Sequence, residues 1–414
     1  MEFYERYKKI IFLVGFLLLT ILIGYLIFIT FFGPTLEPET PGQPAATTTG
    51  GGLPSANVGQ GQIVGDNQAE ILPEHNNQPG SEARPSETAQ GGLTEVKELT
   101  SLPAIGATVG AGGQDVQYYN QADGKFYRLD ENGNALPLSD KIFHQVSNVV
   151  WAPNKTEAIL EYPDGANIIY NFSTEKQISL PSHWKDFSYA PDGSRIVMKS
   201  MGEDPDNRWL AVVSNDGSQV RGVESLGDKD DTVFPSWSPN NQMVAMFTEG
   251  IDFDRQEVYF VGLNGENFKS AVIDGRGFQS KWQPEGKQLL YSVYSTTSGL
   301  KPELWLVDAE GDQIGSNRHR LNLQTWADKC SFASATDLYC AVPDSLDEGA
   351  GIFPELSKTT VDQLYRIDLA TGAKKLIAIP NGNYTIKNIS LSTDQKNLYF
   401  TDNNSGKLYN VKLK

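Results

Sequence analysis

The chain carries little from which metal or redox chemistry could be built. Its 414 residues include two cysteines and four histidines, and two cysteines without neighbouring histidines fall short of the four ligands of a closed zinc site. The histidines, His75, His144, His183 and His319, form no HExxH pair and no close cluster. A Gly-x-Ser-x-Gly elbow, a P-loop and a dinucleotide fingerprint are all missing, so the sequence offers no signature of acyl transfer, nucleotide hydrolysis or hydride transfer. Clustered Lys and Arg are lacking too. The formal charge is −17 and the pI is near 4.7, which argues against a nucleic-acid-binding surface. The acid-rich stretches Glu203-Asp204-Pro205-Asp206, Asp228-Lys229-Asp230-Asp231 and Asp252-x-Asp254 do not have calcium-loop spacing. They read as solvated loops, and no metal or cofactor is expected.

What is present divides the chain in four. Residues 10–32 are an uninterrupted apolar run without a charge, long enough to cross about 30 Å of hydrocarbon as a transmembrane α-helix. Arg6, Lys8 and Lys9 precede it, and no Lys or Arg follows until Arg84. The positive-inside bias then puts residues 1–9 in the cytoplasm and the remainder outside. A cleaved signal peptide is the rival reading, against which Phe31-Phe32-Gly33-Pro34 lacks a small-x-small cleavage pattern. Residues 33–92 are rich in Pro, Gly, Thr, Asn, Gln and Ser and cannot bury enough surface to offset their ordering entropy. They read as a disordered linker, with a root-mean-square reach of roughly 40 Å. Residues 93–414 are left as the folded domain.

That domain is organised around a stretch that comes back. Trp151-Ala152-Pro153-Asn154 recurs as Tyr189-Ala190-Pro191-Asp192, Trp237-Ser238-Pro239-Asn240 and Trp282-Gln283-Pro284-Glu285. Worn copies follow at Phe332-Ala333-Ser334 and Leu391-Ser392-Thr393-Asp394, with Val109 at the matching place upstream. The steps are roughly 40 to 60 residues, the period of blades in a repeat fold. Each copy lies between short β-branched and aromatic runs, punctuated by tight turns such as Asp164-Gly165, Asp216-Gly217, Asn264-Gly265 and Thr371-Gly372. This is the pattern of strands and hairpins. Four-stranded units repeated radially make an all-β propeller, and the anchors predict seven blades; six or eight result if one weak repeat is miscounted. The last unit supplies only three strands, so the alternating segment 94–99 is expected to complete it and close the ring.

The anchor pattern resembles the propeller repeats of the TolB-type (WD40-like) family, whose hallmark is an aromatic-Ser-Pro-Asp-Gly turn. Tyr189-Ala190-Pro191-Asp192-Gly193 lies nearest to it, and the resemblance covers residues 94–414. It implies the fold and an extracytoplasmic bacterial setting. It implies little about activity, since such repeats serve scaffolds, peptidase gates and binding proteins alike.

Strand direction alternates in such a blade, and this sorts the loops. Turns between strands one and two and between three and four share one face, and in this sequence they are all tight. The other face takes the blade-to-blade connections and every long insertion, at 201–208, 249–256, 294–302 and 343–360. Function tends to sit on long loops held by a rigid scaffold, so candidate binding residues are His144, Trp184, Asp186, Asp231, Arg276, Trp326, Asp328 and Tyr384 around the channel mouth. Packing or turn capping is the alternative role for each. Cys330 and Cys340 fall nearly opposite each other across the sixth hairpin, which in an extracytoplasmic domain favours a disulfide over two buried thiols.

The expected function is that of a bacterial cell-membrane protein with one span, its N-terminus cytoplasmic and its propeller extracytoplasmic. It would bind a protein or glycan of the cell envelope, without catalysis. The alternatives are a hydrolase or lyase acting on glycan or peptide at the channel mouth, and an accessory subunit of an envelope assembly that meets its partners through the transmembrane helix.

Overall fold

Short runs rich in Val, Ile, Tyr and Phe, each stopped by a turn, give strands with no helix longer than one 3-10 turn between them among the described residues from 84 onward. The computed structural model describes residues 18–22, 84–130 and 133–414. The chain forms two units, Met1–Asn76 and Asn77–Lys414. In the first, residues 18–22 are helical and exposed, while the remainder of the span expected at 10–32, and the linker up to residue 83, lie outside the described residues. Among the described residues no helix is long and apolar enough to cross a membrane. The expected transmembrane helix therefore finds no support in the structure.

The second unit is a seven-bladed β-propeller, with seven separate sheets. Their innermost strands are Ala104–Val109, Asn148–Trp151, Trp184–Tyr189, Val233–Pro235, Arg276–Trp282, Cys330–Phe332 and Ile386–Leu391, for blades 1 to 7. The outer strand of blade 7 comes from upstream: Val96–Glu98 pairs antiparallel with Leu408–Lys412. Just upstream, Leu93–Thr94 run parallel to Lys374–Pro380 and give blade 6 a fifth strand. Composition placed residues 86–92 in the linker, yet they are held to the propeller by backbone bonds, Ala89 N to Lys412 O and Gly91 N to Ile377 O (both 2.8 Å).

The core lies between blades, where each sheet face buries its apolar side chains against the next. Seven buried clusters correspond to the seven neighbouring pairs. Phe278 and Tyr291 of blade 5 meet Met246 and Phe260 of blade 4, and Tyr399 and Leu408 of blade 7 meet Val116 and Tyr118 of blade 1.

The repeated turn acts as the sequence suggests. Asn154, Asp192, Asn240 and Asp394 each accept the backbone N–H two residues on, at 3.0 to 3.2 Å. Anchor aromatics reach backwards across the interface. Trp151 Nε1 donates to Gly106 O of blade 1 at 2.7 Å, and Trp282 Nε1 to Ser236 Oγ of blade 4 at 3.1 Å.

Four inner strands carry a bulge at the same place, and its first residue is left-handed in each: Gly106, Asp186, Gly277 and Asn388 (φ 53 to 67°). Asp and Asn tolerate this region better than other side chains. At Gly106 a glycine is also sterically required, because a Cβ there would lie 2.6 Å from Val149 Cβ of the next blade. The second bulge residue, Ala107, Phe187, Phe278 or Ile389, then turns into the interblade core.

Candidate functional site

The expected division of loop lengths holds only in part: on the tight-turn face the third-to-fourth strand connections of blades 4 and 5 run over 263–270 and 309–318, whereas the connection expected to be long at 249–256 is reduced to 251–254 because the flanking strands extend into it. First-to-second strand turns are closed by the Asx bonds above. On the opposite face the longest insertion folds back over the mouth of blade 6. Its Leu346 and Ala350 cover Trp326 in a small buried cluster. Backbone bonds from Gly349 N to Gly299 O (3.1 Å) and Gly351 N to Leu300 O (2.8 Å) fasten it to blade 5. Thr385 Oγ1, leading into blade 7, donates to Lys358 O and Thr360 O (3.0 and 2.9 Å). The insertion is thus a fixed rim spanning three blades.

Under that rim lies a cleft of about 360 Å³, lined by Trp326, Asp328, Glu355, Lys358 and Lys387 among others. Beside it Lys329 Nζ contacts both oxygens of Asp362, at 2.8 and 2.7 Å. Ile386 N donates to the same carboxylate at 2.6 Å. Burial pushes the Asp362 carboxyl up, and Lys329 and the Ile386 N–H pull it partly back.

The central channel opens into a second cavity, of about 710 Å³, lined by the inner strands of blades 1, 2 and 7 with Lys155, Lys281 and Lys387. Among the described residues no carboxylate lines it. Lys281 Nζ donates to Cys330 O of the next blade at 2.6 Å. Burial pushes the Lys155 and Lys281 ammonium groups down from the ordinary lysine value, and the field of Asp328 raises Lys281 partly back.

The eight residues singled out from sequence go to different places. Trp326 and Asp328 meet in the cleft under the rim. Trp184 is buried in the core between blades 2 and 3. Tyr384 packs edge-on against Phe400 and Tyr409. Asp186 pairs with Lys199 at 2.7 Å. Arg276 Nη1 donates to Asp252 O at 2.7 Å. His144 and Asp231 are exposed on separate blade-to-blade connections. No single site gathers them. In the acid-rich loops, Asp252 binds Arg255 (2.7 Å) and Asp254 accepts from Thr296 N (2.8 Å), so both carboxylates are used in holding loops.

Sequence reasoning does not reach the channel lysines, although a signal marks Lys281. The residue before each anchor is Thr108, Val150, Ser188, Ser236, Lys281, Ser331 or Ser390, a ring of five hydroxyls, one valine and one cation. Its members stitch neighbouring blades. Ser188 Oγ accepts from Trp237 N (3.0 Å), and Ser236 Oγ from Trp282 Nε1. Cys330 and Cys340 are opposite each other in register, with Cα atoms 4.1 Å apart, and form a disulfide.

No protein-family model matches the chain, and no curated protein matches it. Among solved structures it is similar to an oligogalacturonate lyase in complex with manganese, at 14% identity over 77% of this chain and 93% of that one, with a TM-score of 0.52. It is also similar to an oligogalacturonate lyase from Vibrio parahaemolyticus, at 11% identity over 77% and 93%, with a TM-score of 0.50. At these identities the likeness shows the propeller fold alone.

Proposed function

We propose that this chain is a binding module of the bacterial cell envelope that holds a protein or glycan partner on its long-loop face, with residues 10–32 as its membrane anchor. One observation carries the reading. Leu102, Ile142, Phe234, Ile251, Phe253, Phe353 and Leu356 are large apolar side chains exposed on that face, whereas among the described residues of the propeller Leu136 and Val220 are exposed toward the tight-turn face and Leu93, Trp209 and Val272 along third and outer strands. Exposed apolar surface concentrated on one side of a rigid scaffold marks a contact surface. The Cys330–Cys340 disulfide supports an oxidising compartment.

The test compares full-length protein with a Phe253→Asp/Phe353→Asp variant in pull-downs from envelope extract. Loss of a partner recovered by the parent is expected. Recovery of the same set by both would remove the long-loop face as the contact surface.

A second reading, a lyase or hydrolase acting on glycan at the channel mouth, is favoured by the cleft that brings Asp328 and Glu355 beside Lys358 and Lys387. The solved oligogalacturonate lyases share its fold. Incubation with envelope glycan, read by release of new unsaturated or reducing ends, separates the two. Release that is lost in Asp328→Asn favours the enzyme.

A further inference from the structure

The channel cavity shares Lys387 with the cleft under the rim but includes none of the exposed apolar residues of the long-loop face. We propose that it is an anion-binding site for a small hydroxylated ligand carrying two or more carboxylate or phosphate groups, held by Lys155, Lys281 and Lys387. In a chain of net charge −17, three lysines from three different blades line one cavity that no Asp or Glu among the described residues lines.

None of the three makes an ion pair among the described residues. Of the nearby carboxylates, Asp328 and Glu355 line the adjoining cleft with Lys387, and Glu161 accepts from Asn148 Nδ2 at 2.7 Å. Asp186 is held by Lys199 at 2.7 Å and Asp362 by Lys329 at 2.7 Å. Asp328 acts on Lys281 only through its field. Of the other cations on the inner strands and the turns leading into them, Arg276 is bound to Asp252 O, Lys329 is paired, and Lys185 is exposed on blade 3.

Half-buried ammonium groups without counter-charge cost free energy, in keeping with the downward displacement of Lys155 and Lys281. An oxyanion between them reverses that cost. Lysine offers point charges rather than a planar fork, which suits anionic groups set apart on one molecule. Thr108, Asn148 and Ser390 on the same wall supply donors and acceptors for hydroxyls. A volume of about 710 Å³ falls within the ordinary range of small-ligand sites.

Calorimetry on the full-length protein at fixed ionic strength, with citrate, pyrophosphate and neutral glucose as probes, tests the site. One or both anions are expected to bind one to one while glucose does not, which also separates carboxylate from phosphate preference. Each of Lys155→Met, Lys281→Met and Lys387→Met should weaken binding roughly tenfold or more, as loss of one charged hydrogen bond implies. Binding should take up protons in alkaline buffer, because the anion raises the lysines it meets. Should Lys281→Met fail to fold through loss of its bond to Cys330, the other two variants decide. Phe253→Asp/Phe353→Asp should bind the anion as the parent does, so failure of the face reading leaves this one standing. No heat with either anion, or undiminished binding in Lys155→Met and Lys387→Met, overturns the proposal.

Discussion

Lys329 Nζ lies 2.7 Å from Asp362 Oδ2 with side chains 8% and 0% exposed, and the same carboxylate accepts the backbone N–H of Ile386. One buried pair therefore fixes the start of the inner strand of blade 6, the end of the long insertion and the entry to blade 7. Breaking such a pair from one side strands a charge in the interior. Lys329→Met or Asp362→Asn should each cost about 3–5 kcal/mol, while the double variant Lys329→Met/Asp362→Leu should cost far less. Urea unfolding of the three variants measures this, and equal losses in single and double variants would contradict it.

The ring closes on residues far apart in sequence. Val96–Glu98 supplies the last strand of blade 7 and Leu93–Thr94 extends blade 6. Deleting residues 93–98 removes about six ladder hydrogen bonds at roughly 0.5–1.5 kcal/mol each and takes Val96 from the core between blades 6 and 7. A loss of roughly 3 kcal/mol or more is expected, read as a lower midpoint in thermal unfolding. An unchanged midpoint would mean that the segment does not close the ring.

Cys330 and Cys340 close a loop with a sequence separation of 10. Alkylation without reduction should label neither, and Cys330→Ser/Cys340→Ser should lower stability by about 2–3 kcal/mol. Both sulfurs labelled in the unreduced protein would remove the bridge.

Glu157 is buried at the start of the second strand of blade 2, and burial pushes its carboxyl above the ordinary value of 4.5, against hydrogen bonds from Asn171 and Tyr189. A carboxyl with a raised folded value holds its proton better in the fold than in the unfolded chain. Stability from this group is therefore full at low pH and lost as pH rises above 4.5. Glu157→Gln should raise stability at neutral pH and flatten that decline, measured by denaturant midpoints across the acidic range. A destabilised variant at neutral pH would reverse the sign.

The blade count, the Asx turns and the disulfide were legible in the sequence because each is local. A turn of aromatic, small residue, Pro and Asn or Asp carries its own conformation, and Cys330 lies across a single hairpin from Cys340. The site was less legible. Trp184 and Trp326 were placed at the channel mouth by loop topology, but large aromatic area is drawn under cover, and both are buried. Lys155, Lys281 and Lys387 come together only when blades 2, 5 and 7 surround one axis, which no period along the chain displays. The two-residue strand Leu93–Thr94 is too short for any pattern to mark it.

The contact face is tested most directly by hydroxyl-radical footprinting of the protein in intact envelopes against the purified protein. Oxidation of Ile251, Phe253, Phe353 and Leu356 is predicted to fall in the envelope while that of Leu136 and Val220 stays the same. Equal oxidation on both faces, or protection confined to Leu136 and Val220, would contradict a partner on the long-loop face.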